Sequence, residues 1–351
     1  MTASVKAGRM KGDAMNVERS LSPGRRMSDE TFIAMLVACV AVGLFIVASV
    51  AVPNFFQPLT MLNLVTNNWA VISLGVGVAF LLVSGNFDLS VGGIVALSGV
   101  LAVWFAQATG GANALSSGLG MPTWLAMICA LGGAVAIGAL NALFVVRFKV
   151  PSIIVTLGTM MLARGIAQVI TQGSQRNTNL PADFGVPGNL TMFGTSIKLP
   201  VILMIILVAV AIFIERKTLF GRLTYWIGEN AVAARLSGID TAWHVTKLYL
   251  FSAFVAGAVG ILLASEFKSG FSNRGTLMEF DALVIALLGG VAIAGGFGSV
   301  VGMVFGALIL GVVTTAATGL ILSPDWQFIL KAIAVFLAVT TQTWALARRH
   351  R

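Results

Sequence analysis

Charge is scarce in this chain. Asp, Glu, Lys and Arg make up 10% of its 351 residues, where a soluble domain carries about a quarter. That is too little polar surface to cover a water-soluble fold. Cysteine is nearly absent. Cys39 and Cys129 each lie inside an apolar run, so no disulfide framework is expected. The histidines are His244 and His350. Two thiols without clustered histidines make no metal site. Also missing are His-Glu-x-x-His, a supported Ser-His-Asp set, and paired carboxylates beyond Glu279 and Asp281. No catalytic residues and no cofactor are therefore expected. There is no Gly-x-x-x-x-Gly-Lys-[Ser/Thr], so the chain cannot cradle nucleotide phosphates as a P-loop does. If ATP is used, another polypeptide supplies its site. The formal charge of +9 is spread over short hydrophilic breaks and not along one face, which argues against nucleic acid as a partner.

What is present is apolar: 58% of the residues are hydrophobic. A membrane helix needs about 20 apolar residues. Runs at 32–52, 61–84, 91–108, 122–146, 150–172, 199–214, 246–266, 282–296, 301–322 and 326–346 fit that need. The reading is an all-α polytopic membrane protein with about ten transmembrane helices. The first run exceeds a signal-peptide core and reads as a retained span. Residues 1–30 read as a disordered cytoplasmic tail, and 31–351 as the transmembrane domain.

Orientation follows from Lys and Arg, which favour the cytoplasmic side of short loops. With the N-terminus inside, the inner segments hold sixteen: Lys6, Arg9, Lys11, Arg19, Arg25, Arg26, Arg147, Lys149, Arg216, Lys217, Arg222, Arg235, Lys247, Arg348, Arg349 and Arg351. The outer ones hold four: Arg176, Lys198, Lys268 and Arg274. The bias predicts an even number of spans and both termini in the cytoplasm. Residues 173–198, rich in Asn, Pro and Gly, read as an irregular external loop. On the inner side, 215–246 contains "IGENAVAARLSGID", whose spacing predicts a short helix stopped at Gly238. It is either a connector or a docking surface for a cytoplasmic partner.

Gly298, Gly302 and Gly306 are spaced four apart, which predicts one helix face in close contact with a neighbour, because small residues let backbones approach in a bilayer. In "LLVSGNFDLSVGGIVALSG", Asp88 stands between two apolar runs. It reads either as a cap for the N–H groups of Leu89 to Val91 or as the mark of a helix broken at membrane depth, tolerated where it lines a cavity. Asn67, Asn68, Asn141, Arg164 and Gln168 also lie within apolar runs, with Arg164 and Gln168 four apart on one face. Such groups face a bundle interior or a water-filled cavity. With Asp88 they are the pathway candidates; for Arg164 a structural partnership with a carboxylate or backbone carbonyls is equally open. Lys331, near the start of the last run, can snorkel.

Four ordered stretches together resemble the permease subunit of bacterial ABC importers for monosaccharides, the ribose/xylose/arabinose/galactose type. They are "SGNFDLSVGGIVALSG", "VPSIIVTLGTMMLARGIAQVIT", "FGRLTYWIGENAVAARLSGID", and "GGVAIAGGFGSVVGMVFGALILGVV" followed by "SPDWQFILK". The resemblance covers nearly everything after the tail. Asn86-Phe87, Thr314-Thr315 and Ala231-Val232 depart from the family pattern. The resemblance implies an importer in the bacterial inner membrane. It would comprise two permease chains, here a homodimer, a separate cytoplasmic ABC ATPase and a periplasmic sugar-binding protein. It also implies that the short helix is a coupling helix, with Glu229, Asn230, Ala234, Arg235, Leu236, Ser237 and Gly238 as ATPase-coupling residues. Competing readings are a branched-chain amino acid permease, which needs charged groups for a zwitterion, an ion-coupled transporter using Asp88, Arg164 and Glu266, and a non-transporting scaffold.

Overall fold

The structure is a computed structural model that describes residues 23–53, 55–192, 196–323, 326–333, 336 and 340, with side chains from Met35 onward. Its principal helices are α1 (Pro23–Ala51), α2 (Pro58–Thr66), α3 (Trp69–Val83), α4 (Val91–Ala106), α5 (Thr123–Ala142) and α6 (Ser152–Thr171). They continue with α7 (Leu199–Lys217), α8 (Leu219–Glu229), α9 (Ala231–Leu236), α10 (Thr241–Glu266), α11 (Met278–Leu288) and α12 (Val300–Gly319). Among the described residues there is no β-sheet. Two isolated bridges, Arg176 with Gly270 and Thr191 with Lys198, tie loops together.

Among the described residues, five helical segments are long and apolar enough to cross a membrane: Thr123–Arg147, Ser152–Thr171, Leu199–Lys217, Thr241–Phe267 and Val300–Gly319. The pair α2 and α3, bent by 42°, makes a sixth, and Met35–Ala51 and Val91–Ala106 are shorter apolar helices. The fold is that of an all-helical, polytopic membrane protein. Of the expected tail, 1–22 lie outside the described residues, whereas 23–30 are already helical in α1. Most of the tenth expected span, and the basic C-terminal residues, also lie outside the described residues.

The core forms around α3 and α10. Helix α3 is buried along its whole length, as its unbroken apolar sequence requires. Its glycines set the spacing: a Cβ on Gly77 would stand 3.0 Å from Ser252 Cα in α10. Helix α10 packs on α3, α4 and α5. It does so through small residues, with Gly99 of α4 against the Gly260 carbonyl and Gly138 of α5 against Ala253 and the Tyr249 carbonyl. Close backbones replace a hydrophobic driving force that lipid does not provide. Helix α12 packs on α1 and α11. Helices α6 and α7 are peripheral, exposing Ile154, Met161 and Val169, and Ile206 and Phe213.

Among the described residues, two non-helical breaks interrupt the apolar sequence. Between α3 and α4, residues 84–90 are non-helical, with Gly85 at φ +78°. The expected span 282–296 instead ends at Leu288, because Gly290, Gly295 and Gly296 adopt left-handed φ values of +87°, +84° and +73°. The glycine reading of α12 is corrected at one position. Gly302 and Gly306 lie on the helix and press on Gly289 and on the Ile285 carbonyl of α11. Gly298 has φ +130° and precedes the helix, so it shares no helical face with them and packs on Val291.

Candidate functional site

The break after α3 turns its polar groups inward. Asp88 is 3% exposed. Its Oδ1 accepts the Ser90 N–H at 2.9 Å and the Ser90 hydroxyl, and its Oδ2 accepts the Ser252 hydroxyl of α10 at 2.7 Å. Of the expected N–H partners at 89–91, Ser90 alone is engaged, and Ser90 itself occupies the N-cap of α4. Asn141 of α5 donates to Ser90 Oγ at 2.8 Å, and the Thr159 hydroxyl of α6 donates to Asn141 Oδ1 at 2.5 Å. The Tyr249 hydroxyl donates to the Phe87 carbonyl at 3.0 Å, and the Phe87 N–H donates to Ser152 Oγ at 3.1 Å. Two sets of hydrogen bonds, one through Asp88 and one through Phe87, thus join the break to α4, α5, α6 and α10. Two hydroxyls and one backbone N–H satisfy the carboxylate. Among the described residues no ion pair to it is present, and a buried polar group in that position is held by hydrogen bonding.

Arg164 sits apart from both sets. Its Nη1 donates to Thr276 Oγ1 at 3.2 Å, and its Nη2 lies 3.8 Å from Glu279 Oε1 in the first turn of α11. The pair is an ion pair by proximity and too long to be a hydrogen bond. Accordingly Arg164 Nε and Nη2 and Glu279 Oε2 have no hydrogen-bond partner among the described residues. Glu279 is 3% exposed, with Oε2 against Gly92. Gln168, one turn along α6, is exposed. Lys331 pairs with both oxygens of Asp281 at 2.9 Å. Asn67 and Asn68 stand at the bend between α2 and α3. Asn68 donates back to the Leu64 carbonyl at 2.8 Å and Asn67 is exposed, so neither bonds into the Asp88 set.

The short helix expected after residue 229 is α9. Asn230 caps it, with Oδ1 accepting the N–H groups of Val232 at 3.0 Å and Ala233 at 2.9 Å. Gly238 follows at φ +83°, the left-handed stop that glycine adopts without a Cβ penalty. Arg235, Leu236, Ser237 and Gly238 face outward with Val232, while Ala234 is buried against the bundle. Asp240 caps the start of α10, its side chain accepting the Trp243 N–H at 2.9 Å.

Sequence reading missed several partners. Ser252, Thr159 and Tyr249 lie within apolar stretches with no local signal. Glu215 was placed in a loop, whereas it is 7% exposed at the end of α7 and accepts from the Val300 N–H and the Tyr225 hydroxyl. Arg176, assigned to the external loop by charge counting, is 2% exposed and donates to Gln107, Ile170 and Ser117. Burial pushes its guanidinium pKa down.

Residues 60–339 match the family described as branched-chain amino acid transport system / permease component. Ribose import permease protein RbsC of Escherichia coli K12 is 32% identical over 320 residues, covering 89% of this chain and 92% of the relative. RbsC of Bacillus subtilis is 32% identical over 303 residues, covering 84% and 88%. Galactose/methyl galactoside import permease protein MglC of Escherichia coli K12 is 31% identical over 304 residues, covering 85% and 90%. No solved structure matches.

Proposed function

The chain belongs to the branched-chain amino acid transport system / permease component family, and from that premise we propose that it is the transmembrane permease subunit of an ATP-binding cassette importer for a monosaccharide or related polyol. The observation that carries the sugar assignment is the similarity, over more than four fifths of the chain, to relatives named as ribose and galactose import permeases. The chain is a transport subunit, not an enzyme, and ATP is hydrolysed by a separate cytoplasmic ATPase that docks on α9 and its flanks, from Glu229 to Gly238. A periplasmic sugar-binding protein delivers the solute from the opposite side, and a second copy of this chain completes the pathway. The assembly sits in the bacterial inner membrane with both termini in the cytoplasm.

The geometry divides the pathway candidates. Asp88 and Asn141 are buried and satisfied by one another's neighbours, which suits them to fixing the helix break. Arg164 and Gln168 share a face of peripheral α6, and Gln168 is exposed. An exposed amide on an otherwise apolar span faces water or a partner in preference to lipid. Arg164 and Gln168 are therefore the favoured solute-facing positions. Asn67, also exposed, and Asn68 form a second, less central pair.

A branched-chain amino acid as solute is the second reading, and the family description favours it. The test is ATP-driven uptake by proteoliposomes holding this chain with its ATPase and binding protein. Uptake competed by pentoses or hexoses and unaffected by leucine is expected. Competition by leucine alone selects the amino acid. Uptake that survives ATP depletion and collapses with the proton gradient makes the chain an ion-coupled transporter, and absence of flux makes it a scaffold.

A further inference from the structure

Three backbones meet closely where the two breaks approach α8. The Gly296 N–H, from the break after α11, donates to the Val83 carbonyl at the end of α3 at 2.7 Å. The two breaks are therefore bonded directly to each other. Gly228, in the last turn of α8, lies on that bond. A Cβ there would fall on the Val83 carbonyl oxygen and stand 2.6 Å from the Gly296 nitrogen. A Cβ on Gly295 would stand 2.8 Å from Gly85 Cα, and one on Gly296 would stand 2.9 Å from Glu229 Cα. No side chain separates the three segments.

A second tie lies one turn earlier on the same helix. The Tyr225 hydroxyl is 2.7 Å from Glu215 Oε1 and 2.6 Å from the Gly298 carbonyl. Glu215 Oε1 also accepts the N–H of Val300, the first residue of α12, at 2.9 Å. A carboxyl oxygen at a helix N-terminus satisfies one of the N–H groups that the helix itself leaves unpaired. The cavity beside this carboxylate is only about 10 Å³ and is lined by Ala79, Phe80, Val83, Tyr225, Ser299 and Val300. That is close to the space of a single water molecule, so the joint has little slack. Asn230 is the single residue between α8 and α9, and it caps α9.

We propose that α8 is the lever that carries displacement of α9 to both helix breaks at once, with Gly228 as its bearing point and the Tyr225–Glu215 contact as its tie to α12. A close-packed joint of this kind transmits motion because its backbones do not deform independently. Moving α8 requires either breaking the contacts at Val83, Gly296 and Gly298, or carrying the end of α3, the break after α11 and, through Glu215, the start of α12 along. Both breaks then change arrangement together, as a switch between two packings demands. The proposal rests on the reading of this chain as an ATP-driven permease and adds residues outside the docking segment itself.

The test uses the full assembly of permease, ATPase and binding protein in proteoliposomes, with Tyr225→Phe and Gly228→Ala compared with the unaltered chain. Readouts are co-purification of the ATPase, basal ATP hydrolysis, and solute molecules transported per ATP hydrolysed. Tyr225→Phe is expected to retain assembly and basal hydrolysis while transport per ATP falls about three- to tenfold, the effect of losing one hydrogen bond from a coupling path. Gly228→Ala is expected to fall further, and where it fails to assemble, Tyr225→Phe decides. A transport-to-hydrolysis ratio unchanged in Tyr225→Phe, with the unaltered assembly active, overturns the lever alone. An unaltered assembly that hydrolyses ATP but moves no solute overturns the permease reading and the lever with it.

Discussion

The hydroxyl of Ser252 lies 2.7 Å from Oδ2 of Asp88, a contact made across 164 residues of chain. It joins the middle of the central helix α10 to the break between α3 and α4. Removing one donor from a buried carboxyl group leaves an acceptor unsatisfied. Ser252→Ala is expected to destabilise the protein by about 1–3 kcal/mol, read as a lowered midpoint of thermal unfolding in detergent. Ser73→Ala serves as the comparison, because that hydroxyl donates only to the Trp69 carbonyl of its own helix. It should shift the midpoint much less.

Asn141 links Ser90 to Thr159 by using both ends of its amide. Members of one hydrogen-bonded set do not act independently. A double-mutant cycle of Ser90→Ala and Thr159→Val should show a coupling of about 0.5–3 kcal/mol in unfolding free energy. Strict additivity would mean that the chain of bonds through Asn141 does not hold the helices together.

Arg164 and Glu279 pair between α6 and α11, and Glu279 is the more deeply buried of the two. Removing the arginine leaves an uncompensated carboxylate, so Arg164→Met should cost about 3 kcal/mol, whereas adding Glu279→Gln should recover much of the loss. Thermal unfolding of the two single variants and the double variant checks this. Gln168→Ala should leave stability unchanged and raise the KM for solute uptake.

The glycines differ in how much room surrounds them. A Cβ at Gly306 would fall on the Ile285 carbonyl of α11, while one at Gly132 of α5 meets nothing within 4 Å. Gly306→Ala should therefore destabilise by about 1–3 kcal/mol through overpacking. Gly132→Ala should be neutral or stabilising by up to about 1 kcal/mol, the helix-propensity difference.

Asn230 provides two hydrogen bonds to the start of α9. Asn230→Ala should cost that helix about 1 kcal/mol. The consequence to measure is weaker retention of the ATPase during co-purification, with unfolding of the membrane bundle little changed.

Much of this organisation could be read before the structure. The run of apolar segments gave the helices, because lipid demands long apolar stretches whatever their partners. Asp88 between two apolar runs offered the break as one of two readings, and Gly238 marked the end of α9, whereas the Asn230 cap was not read. What could not be read depends on register between distant segments. Ser252 resembles any small residue in an apolar helix, and only the packing of α10 on α4 turns it toward Asp88. Glu215 looked like the first residue of a polar loop because nothing local announced the Val300 N–H it accepts. Hydropathy carried the eighth span through 289–296, where left-handed glycines end the helix, and the same backbone feature removed Gly298 from the face shared by Gly302 and Gly306. Arg176 counted as a solvated loop cation by sequence and is instead a buried fastener.

Helix α11 has 11 residues, a length of about 16 Å at 1.5 Å per residue, while the hydrocarbon layer is about 30 Å thick. Such a short segment leaves a hydrophobic mismatch that must be met by its flanking loop or by the lipids themselves. Acyl-chain length then becomes a control on the protein. Thin bilayers match α11 more closely than thick ones, so turnover in a series of phosphatidylcholines of increasing chain length should decline once the membrane outgrows the segment.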